Sequence, residues 1–256
     1  MPGSVNAQQE KRVQVQSVRL KDGAVTRDLA NAVLALDLMP REVRWTSLSL
    51  CILDAVWSIG ARYHAVVVPL VRSFATEFGV ASPTVRADSP LGPDPLPLPT
   101  LAGLDVESLV DKTNRQRTST RGGILKAEAV LRHVAVFVEH GVTTLADAIE
   151  LLSDSARLAD VDSAVRRIPG EGGSGIRRGY LWMLVGNDDL IKPDRMVLRW
   201  LGHHGVDVGP EGAREIIASL AESLTATTGK LVTPWEIDHA MWTAGRLLLP
   251  TRKRSP

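Results

Sequence analysis

The chain has 256 residues, 44% hydrophobic and 23% charged, with a formal net charge of +1. That composition predicts a folded globular protein and excludes disorder as the default; it also excludes a global positive field, so any nucleic-acid contact must come from local patches. The single cysteine, Cys51, excludes an internal disulfide and a four-cysteine iron–sulfur cluster.

Residues 1–23 are polar, with only a faint alternation at Val13, Val15 and Val18, and read as a flexible N-terminal segment. From Thr26 the apolar positions Leu29, Val33 and Leu36 recur at helical spacing until Pro40 ends the segment. Residues 46–59 are apolar almost all round, the mark of a central buried helix. Gly60 breaks it, and 62–78 resumes a helix that Pro69 should kink or shorten. The six prolines of 81–99 predict a loop or insertion rather than a core element. A short helix over 106–110 precedes the basic, polar loop 112–123. Ile124, Ala127, Val130, Leu131, Val134 and Val138 then share one face of an amphipathic helix over 124–140. Helices follow over 143–152, 161–168 (Asp160 as N-cap), 176–185, 195–201, 210–224 and 234–248. Thr233 is the expected cap before Pro234. The fold class is all-α. No charged stretch followed by an apolar one opens the chain, and its apolar runs are too short to span a bilayer. A cytoplasmic protein with no membrane partner is expected.

Between two of these helices lies the run Ile168-Pro169-Gly170-Glu171-Gly172-Gly173-Ser174-Gly175, and Asp194 follows Pro169 by 25 positions. Glycines allow a tight turn that presents backbone N–H groups at a helix start, a cradle for phosphate. An ordinary helix–helix turn would have the same composition. In the basic loop, Arg115, Arg117 and Arg121 alternate with neutral donors, a pattern equally suited to phosphate oxygens and to a solvated loop. Asp54 interrupts the buried helix. A carboxylate there must be paired, as with a core-facing arginine, or must serve a site by bonding a base edge. Trp57 and Tyr63 are candidates for stacking on a base, although aromatics at such positions more often belong to the core. Trp182, Trp200 and Trp242 are assigned to the core. His203, His204, Asp238 and His239 lack a third ligand at a recognisable metal spacing, so no metal site is expected.

The stretch from about residue 46 to 246 resembles the helix-hairpin-helix DNA glycosylase superfamily. Three blocks carry the resemblance: the apolar helix ending in Ser58-Ile59-Gly60, the turn and helix start Gly122-Gly123-Ile124-Leu125-Lys126-Ala127, and the glycine hairpin with Asp194. The resemblance implies a two-lobed fold. One lobe is a bundle over 46–175 that ends in the hairpin and carries the proline-rich insertion 81–99; the other unites 24–45 with 176–256.

The implied function is a monofunctional base-excision glycosylase. It would flip a damaged, mismatched or modified base out of double-stranded DNA and hydrolyse its N-glycosidic bond, acting as a monomer. Asp194 would be the catalytic carboxylate, and it also stands in an N-cap context. Gly170, Gly172, Gly173, Ser174, Gly175, Arg177 and Arg178 would contact the phosphates with the three loop arginines, the two hairpin arginines offsetting Glu171. Asp54, Trp57 and Tyr63 would line the base pocket. No cofactor is implied beyond a monovalent cation on the hairpin carbonyls. Bifunctional members carry a lysine where this chain has Ser174, or Ile176 if a gap is placed in the hairpin, so no imine-type lyase step is expected. Lys192 is not at that position. Gly60 stands where some members have a glutamine that fills the space of a flipped base. The alternative is a DNA-binding protein with this fold and no chemistry.

Overall fold

The computed structural model describes residues 23–171, 175–191 and 193–248. These residues are mostly helical and divide into two compact units. Pro40–Lys192 form the larger, and the described residues of Met1–Met39 and Pro193–Pro256 form the smaller. The division falls near residue 192 rather than at the hairpin. No helix among the described residues is long and apolar enough to cross a membrane. The expected flexible segment 1–23 lies, apart from Gly23, outside the described residues.

The larger unit is built around helix α2 (Leu48–Trp57), all ten residues of which are buried. Before it come helix α1 (Gly23–Leu34), which belongs to the smaller unit, and strand β1 (Val43–Trp45). A π-helical turn (Tyr63–Val67) leads into α3 (Val68–Glu77). Pro69 lies in the first turn of α3, where its missing N–H costs no helical bond. Strand β2 (Thr84–Arg86) pairs antiparallel with β1, Arg44 opposite Val85. This small sheet is the exception to the helical expectation. Short helices α4 (Leu98–Ala102) and α5 (Val106–Asp111) precede the long α6 (Lys126–Glu139). Helices α7 (Leu145–Leu151), α8 (Ser155–Arg166) and α9 (Ile176–Val185) complete the unit. Helix α9 packs on α2, which places it in this unit. Helices α3, α4 and α6 pack on α2 as well.

Two boundaries differ from the periodicity. Helix α6 begins at Lys126, because residues before it fold back in an antiparallel bridge between Arg117 and Leu125. Helix α8 begins at Ser155, capped by Asp154, whose side chain accepts from Arg157 N; Asp160 lies inside the helix rather than at its start.

The proline-rich segment is structural. Leu96 and Leu98 are buried. Asp94 Oδ2 accepts from Leu48 N at 3.1 Å and from Leu145 N at 2.8 Å, and Oδ1 accepts from Leu96 N at 2.9 Å. One carboxylate therefore satisfies the first turns of both α2 and α7, where N–H groups lack helical partners and the dipole favours negative charge. Ser47 caps α2 through Ser49 N, and both serine hydroxyls donate to Leu96 O. The periodicity of 81–99 is that of a loop; its prolines fix the extended path that delivers Asp94 and Leu96 to the helix starts.

In the smaller unit, α10 (Arg195–His203) packs mainly on α12 (Pro234–Leu247), with α11 (Pro210–Thr228) and α1 beside them. The helices α10 and α12 meet closely: a Cβ on Gly245 would lie 2.2 Å from Met196 O. Thr233 and Glu236 form a capping box at the start of α12, with Pro234 in the first turn as expected.

Replacing Asp94 with Ala removes the acceptor from two helix starts. Stability is expected to fall by about 2 kcal/mol, twice the usual value of one N-cap. Urea unfolding checks this, with Asp105→Ala, which caps only the short α5, as the smaller effect.

Candidate functional site

The hairpin lies between α8 and α9. Gly170 (φ +109°) and Gly175 (φ +68°) adopt the left-handed conformations that glycine permits, and Gly175 opens α9 with no side-chain cap. Gly172, Gly173 and Ser174 lie outside the described residues, as does Lys192. The two helices are clasped by Asp162 of α8. Its Oδ2 accepts from Arg178 Nε at 2.9 Å and its Oδ1 from Trp182 Nε1 at 3.0 Å. Arg178 is buried in this clasp, so it holds the hairpin together from within and leaves the set expected to meet phosphate. Arg177 is half-buried; burial draws its pKa down, against the opposing pull of Glu171.

Glu171 also turns inward. His133 Nδ1 donates to Ala129 O at 2.7 Å, and His133 Nε2 meets Glu171 Oε1 at 3.0 Å, both side chains being buried. The carboxylate that would repel a phosphate from the turn is thus spent on α6, and no arginine is needed to offset it. Glu171 Oε2 is buried without a hydrogen-bond partner, the mark of a site that depends on the His133 contact.

The basic loop packs on the hairpin. Thr118 is buried against Gly170, where a Cβ would lie 2.5 Å from Thr118 Cβ; only glycine fits. The loop is ordered by Thr118 N to Ile124 O (2.9 Å) and Lys126 N to Gln116 O (2.8 Å), and Gly122 (φ +68°) turns it. Arg115, Arg117 and Arg121 are all exposed. Arg115 pairs with Glu107 at 2.7 Å, and Arg117 Nη1 donates to Gly123 O. An exposed ion pair of this kind is weak enough to be exchanged for a phosphate.

Lys126, at the start of α6, is buried. Its Nζ donates to Trp57 O (3.0 Å), Ile59 O (2.8 Å) and Gln116 Oε1 (3.0 Å). A positive group thus sits on the carbonyls at the end of α2, where the helix dipole is negative.

Asp54 lies at the centre of a polar cluster. Its Oδ2 accepts from Trp45 Nε1 (2.8 Å) and Tyr63 OH (2.9 Å), and its Oδ1 from Tyr180 OH (2.9 Å). Burial, and then the Asp54 charge, raise the pKa of both tyrosines, so both remain donors. The same two causes raise the pKa of the Cys51 thiol and leave it inert. Tyr63 is half-buried, with His64 in edge contact at 5.2 Å. Trp57 is fully enclosed and donates to Asn114 Oδ1 at 3.1 Å, which removes it from the surfaces on which a base could stack. Sequence reasoning missed Trp45 and Tyr180. The only available signal was that a buried carboxylate requires donors; nothing in the spacing says which.

In the smaller unit, Asp194 is the N-cap of α10 and half-buried. Its Oδ1 accepts from Met196 N at 2.7 Å. The expected cap is therefore present, with the carboxylate fixed in orientation. Of the tryptophans assigned to the core, Trp182 and Trp200 are buried, whereas Trp242 is half-exposed. The described residues contain no cluster of three His, Cys, Asp or Glu that could hold a metal.

His133→Leu is expected to cost about 1–3 kcal/mol, the usual result of leaving a buried polar group, here Glu171, without its partner. Pairing it with Glu171→Leu should return much of that stability, because the polar group left without its partner is then gone. Thermal and urea melts of the two proteins measure the difference.

No curated protein and no solved structure matches this chain. A family model described as a domain of unknown function, DUF8548, matches residues 24–246. The chain therefore belongs to the DUF8548 family.

Proposed function

We propose that this protein is a monofunctional DNA base-excision glycosylase, with the hairpin and the arginine loop as its duplex-binding surface and Asp194 as its catalytic carboxylate. The observation that carries the reading is the packing of Thr118 on Gly170. It joins a glycine turn, whose N–H groups suit phosphate, to a loop with three exposed arginines, while the neighbouring Glu171 is withdrawn. The described hairpin carbonyls, at 169–171 and 175, are those that would hold a monovalent cation, which would add positive charge beneath a phosphate.

The chemistry follows from a fixed carboxylate. As the bond between C1′ and the base nitrogen breaks, the electron pair leaves with the base and positive charge grows on the sugar. Asp194, oriented by Met196 N, stabilises that charge. Water then adds to C1′ and gives its proton to the carboxylate, which releases it to solvent, while the departing base takes up a proton from solvent, so the sum is hydrolysis. Tyr63, half-buried with its hydroxyl on Asp54, remains a candidate to stack on a base, whereas Trp57 is enclosed.

A panel of duplexes carrying uracil, mismatched thymine, alkylated and oxidised bases, followed by hot alkali, tests the activity. Asp194→Asn keeps most of the cap and loses the charge; base release is expected to fall at least about a hundredfold with duplex binding retained. Full activity in this variant overturns the role of Asp194. Salt-dependent duplex binding without release of any base replaces the enzyme by a DNA-binding protein.

The binding surface has its own test. Changing Arg115, Arg117 and Arg121 to Ala should flatten the log–log salt dependence of duplex affinity by about 0.9 for each phosphate that the loop no longer neutralises. An unchanged slope would show that the loop does not face DNA.

A further inference from the structure

From Asn114 to Ser119 the arginine loop alternates. Asn114 and Gln116 are half-buried and Thr118 is buried, while Arg115, Arg117 and Ser119 are exposed. The inward residues are each engaged: Asn114 Oδ1 by Trp57 Nε1, Gln116 Oε1 by Lys126 Nζ, and Thr118 by its packing on Gly170. A period of two is that of extended backbone, and Arg117 forms a β-bridge with Leu125. Arg115 and Arg117 therefore project from one outer face.

Three hydroxyls follow one another in this loop, and they are not equivalent. Thr118 is buried. Ser119 Oγ donates to Arg121 O at 2.8 Å, and its backbone lies so close to Gly123 that a Cβ there would meet Ser119 N at 2.3 Å. Thr120 is exposed at the start of the turn, and no hydrogen bond among the described residues engages its hydroxyl. Arginines stand five and three residues before it and one after it. Arg121 is exposed and makes no ion pair among the described residues, and Arg117 Nη1 is laid against the turn through Gly123 O at 2.7 Å. No carboxylate occurs over 112–125. The acids of α5 just before it are Asp111 and Glu107, of which Glu107 is paired with Arg115.

We propose that Thr120 is a phosphorylation site for an arginine-directed protein kinase, and that its phosphate is gripped by Arg117 and Arg121 and closes the loop to DNA. The closure rests on the loop being the duplex-binding surface; the site and the grip do not. In the transfer, Thr120 Oγ1 bonds to the γ-phosphorus of ATP, and the bond to the β–γ bridging oxygen breaks with its electron pair on ADP. The hydroxyl proton passes to the kinase's catalytic carboxylate and then to solvent. Such kinases select by charge, reading arginines on the N-terminal side of the hydroxyl. The extended segment presents both arginines on one face, and only the turn after Thr120, with its two glycines, has to open. The phosphate brings about −1.5 to −2 charges at pH 7 into a loop of three arginines, which hold phosphate through charge-assisted hydrogen bonds.

Incubation of the full chain with an arginine-directed protein kinase and ATP tests the site. Mass spectrometry is expected to find one phosphate on this loop, on Thr120. Thr120→Ser should accept it, Thr120→Val should not, and Ser119→Ala should leave the transfer unchanged. Arg117→Ala should slow it about tenfold, the worth of one charge-assisted contact. A loop that takes no phosphate, phosphate on Thr118 or Ser119 instead, or transfer indifferent to Arg117→Ala overturns the proposal.

Phosphorus NMR reads the grip. The second pKa of the phosphate should lie below its ordinary value of about 6, because neighbouring guanidiniums favour the dianion, and Arg121→Ala should return it toward that value. An unshifted pKa overturns the grip. Duplex affinity reads the closure: in the phosphorylated chain the log–log salt slope should fall by about 0.9 for each DNA phosphate released. Full affinity after phosphorylation overturns the closure. An unmodified chain that binds no duplex overturns it together with the DNA reading, while the kinase and NMR results still decide the site and the grip.

Discussion

A helix with no exposed residue must have every polar group answered by protein, and α2 sets that condition for the larger unit. Its first turn is met by Asp94 and Ser47, its internal carboxylate by Trp45, Tyr63 and Tyr180, and its last carbonyls by Lys126. These partners come from β1, the proline-rich segment, the π-helical turn, α6 and α9. A purely apolar helix could slide or rotate against its neighbours at little cost. Here a shift of one residue would strand several buried groups, each worth about 1–3 kcal/mol when left unsatisfied. Polar satisfaction fixes the register that hydrophobic burial alone leaves loose.

The hairpin is subject to the same logic. A glycine-rich turn has little to pack with, so its described ends are fixed by their neighbours. Asp162 ties α8 to α9, Thr118 fills the space that a side chain at Gly170 would need, and His133 holds Glu171. Adjacent arginines divide the work. Arg177 and Arg178 are about 100° apart on α9, so that one turns into the clasp while the other stays at the surface. The described ends of the turn, Gly170, Glu171 and the start of α9, are each held by a residue from outside it.

The legible parts of the chain were those where cause and effect are local. The Thr233–Pro234 helix start, the Asp194 cap and the buried character of α2 are each decided within a few residues, and each stands as read. Asp94 was hidden because prolines signal a loop whether or not the loop delivers a cap. Tyr180 was hidden because its partner is set by how α9 packs on α2, which no local pattern encodes. Trp242 was misplaced for a different reason: its large apolar ring suggests burial, yet it stands about 100° around α12 from the buried Met241 and is only half-buried. Glu171 and Arg178 looked like surface charges in a polar run. Each is buried against a partner on another helix.

The Asp54 cluster has a consequence for how the chain is made. Tyr180 follows Asp54 by 126 residues. At a synthesis rate of about 5–20 residues per second, α2 leaves the ribosome on the order of 10 s before Tyr180 exists to complete its set of donors. Throughout that interval the most apolar segment of the protein carries an incompletely bonded carboxylate and has no α9 to cover it. The helix at the centre of the finished unit is thus the nascent segment most in need of a chaperone.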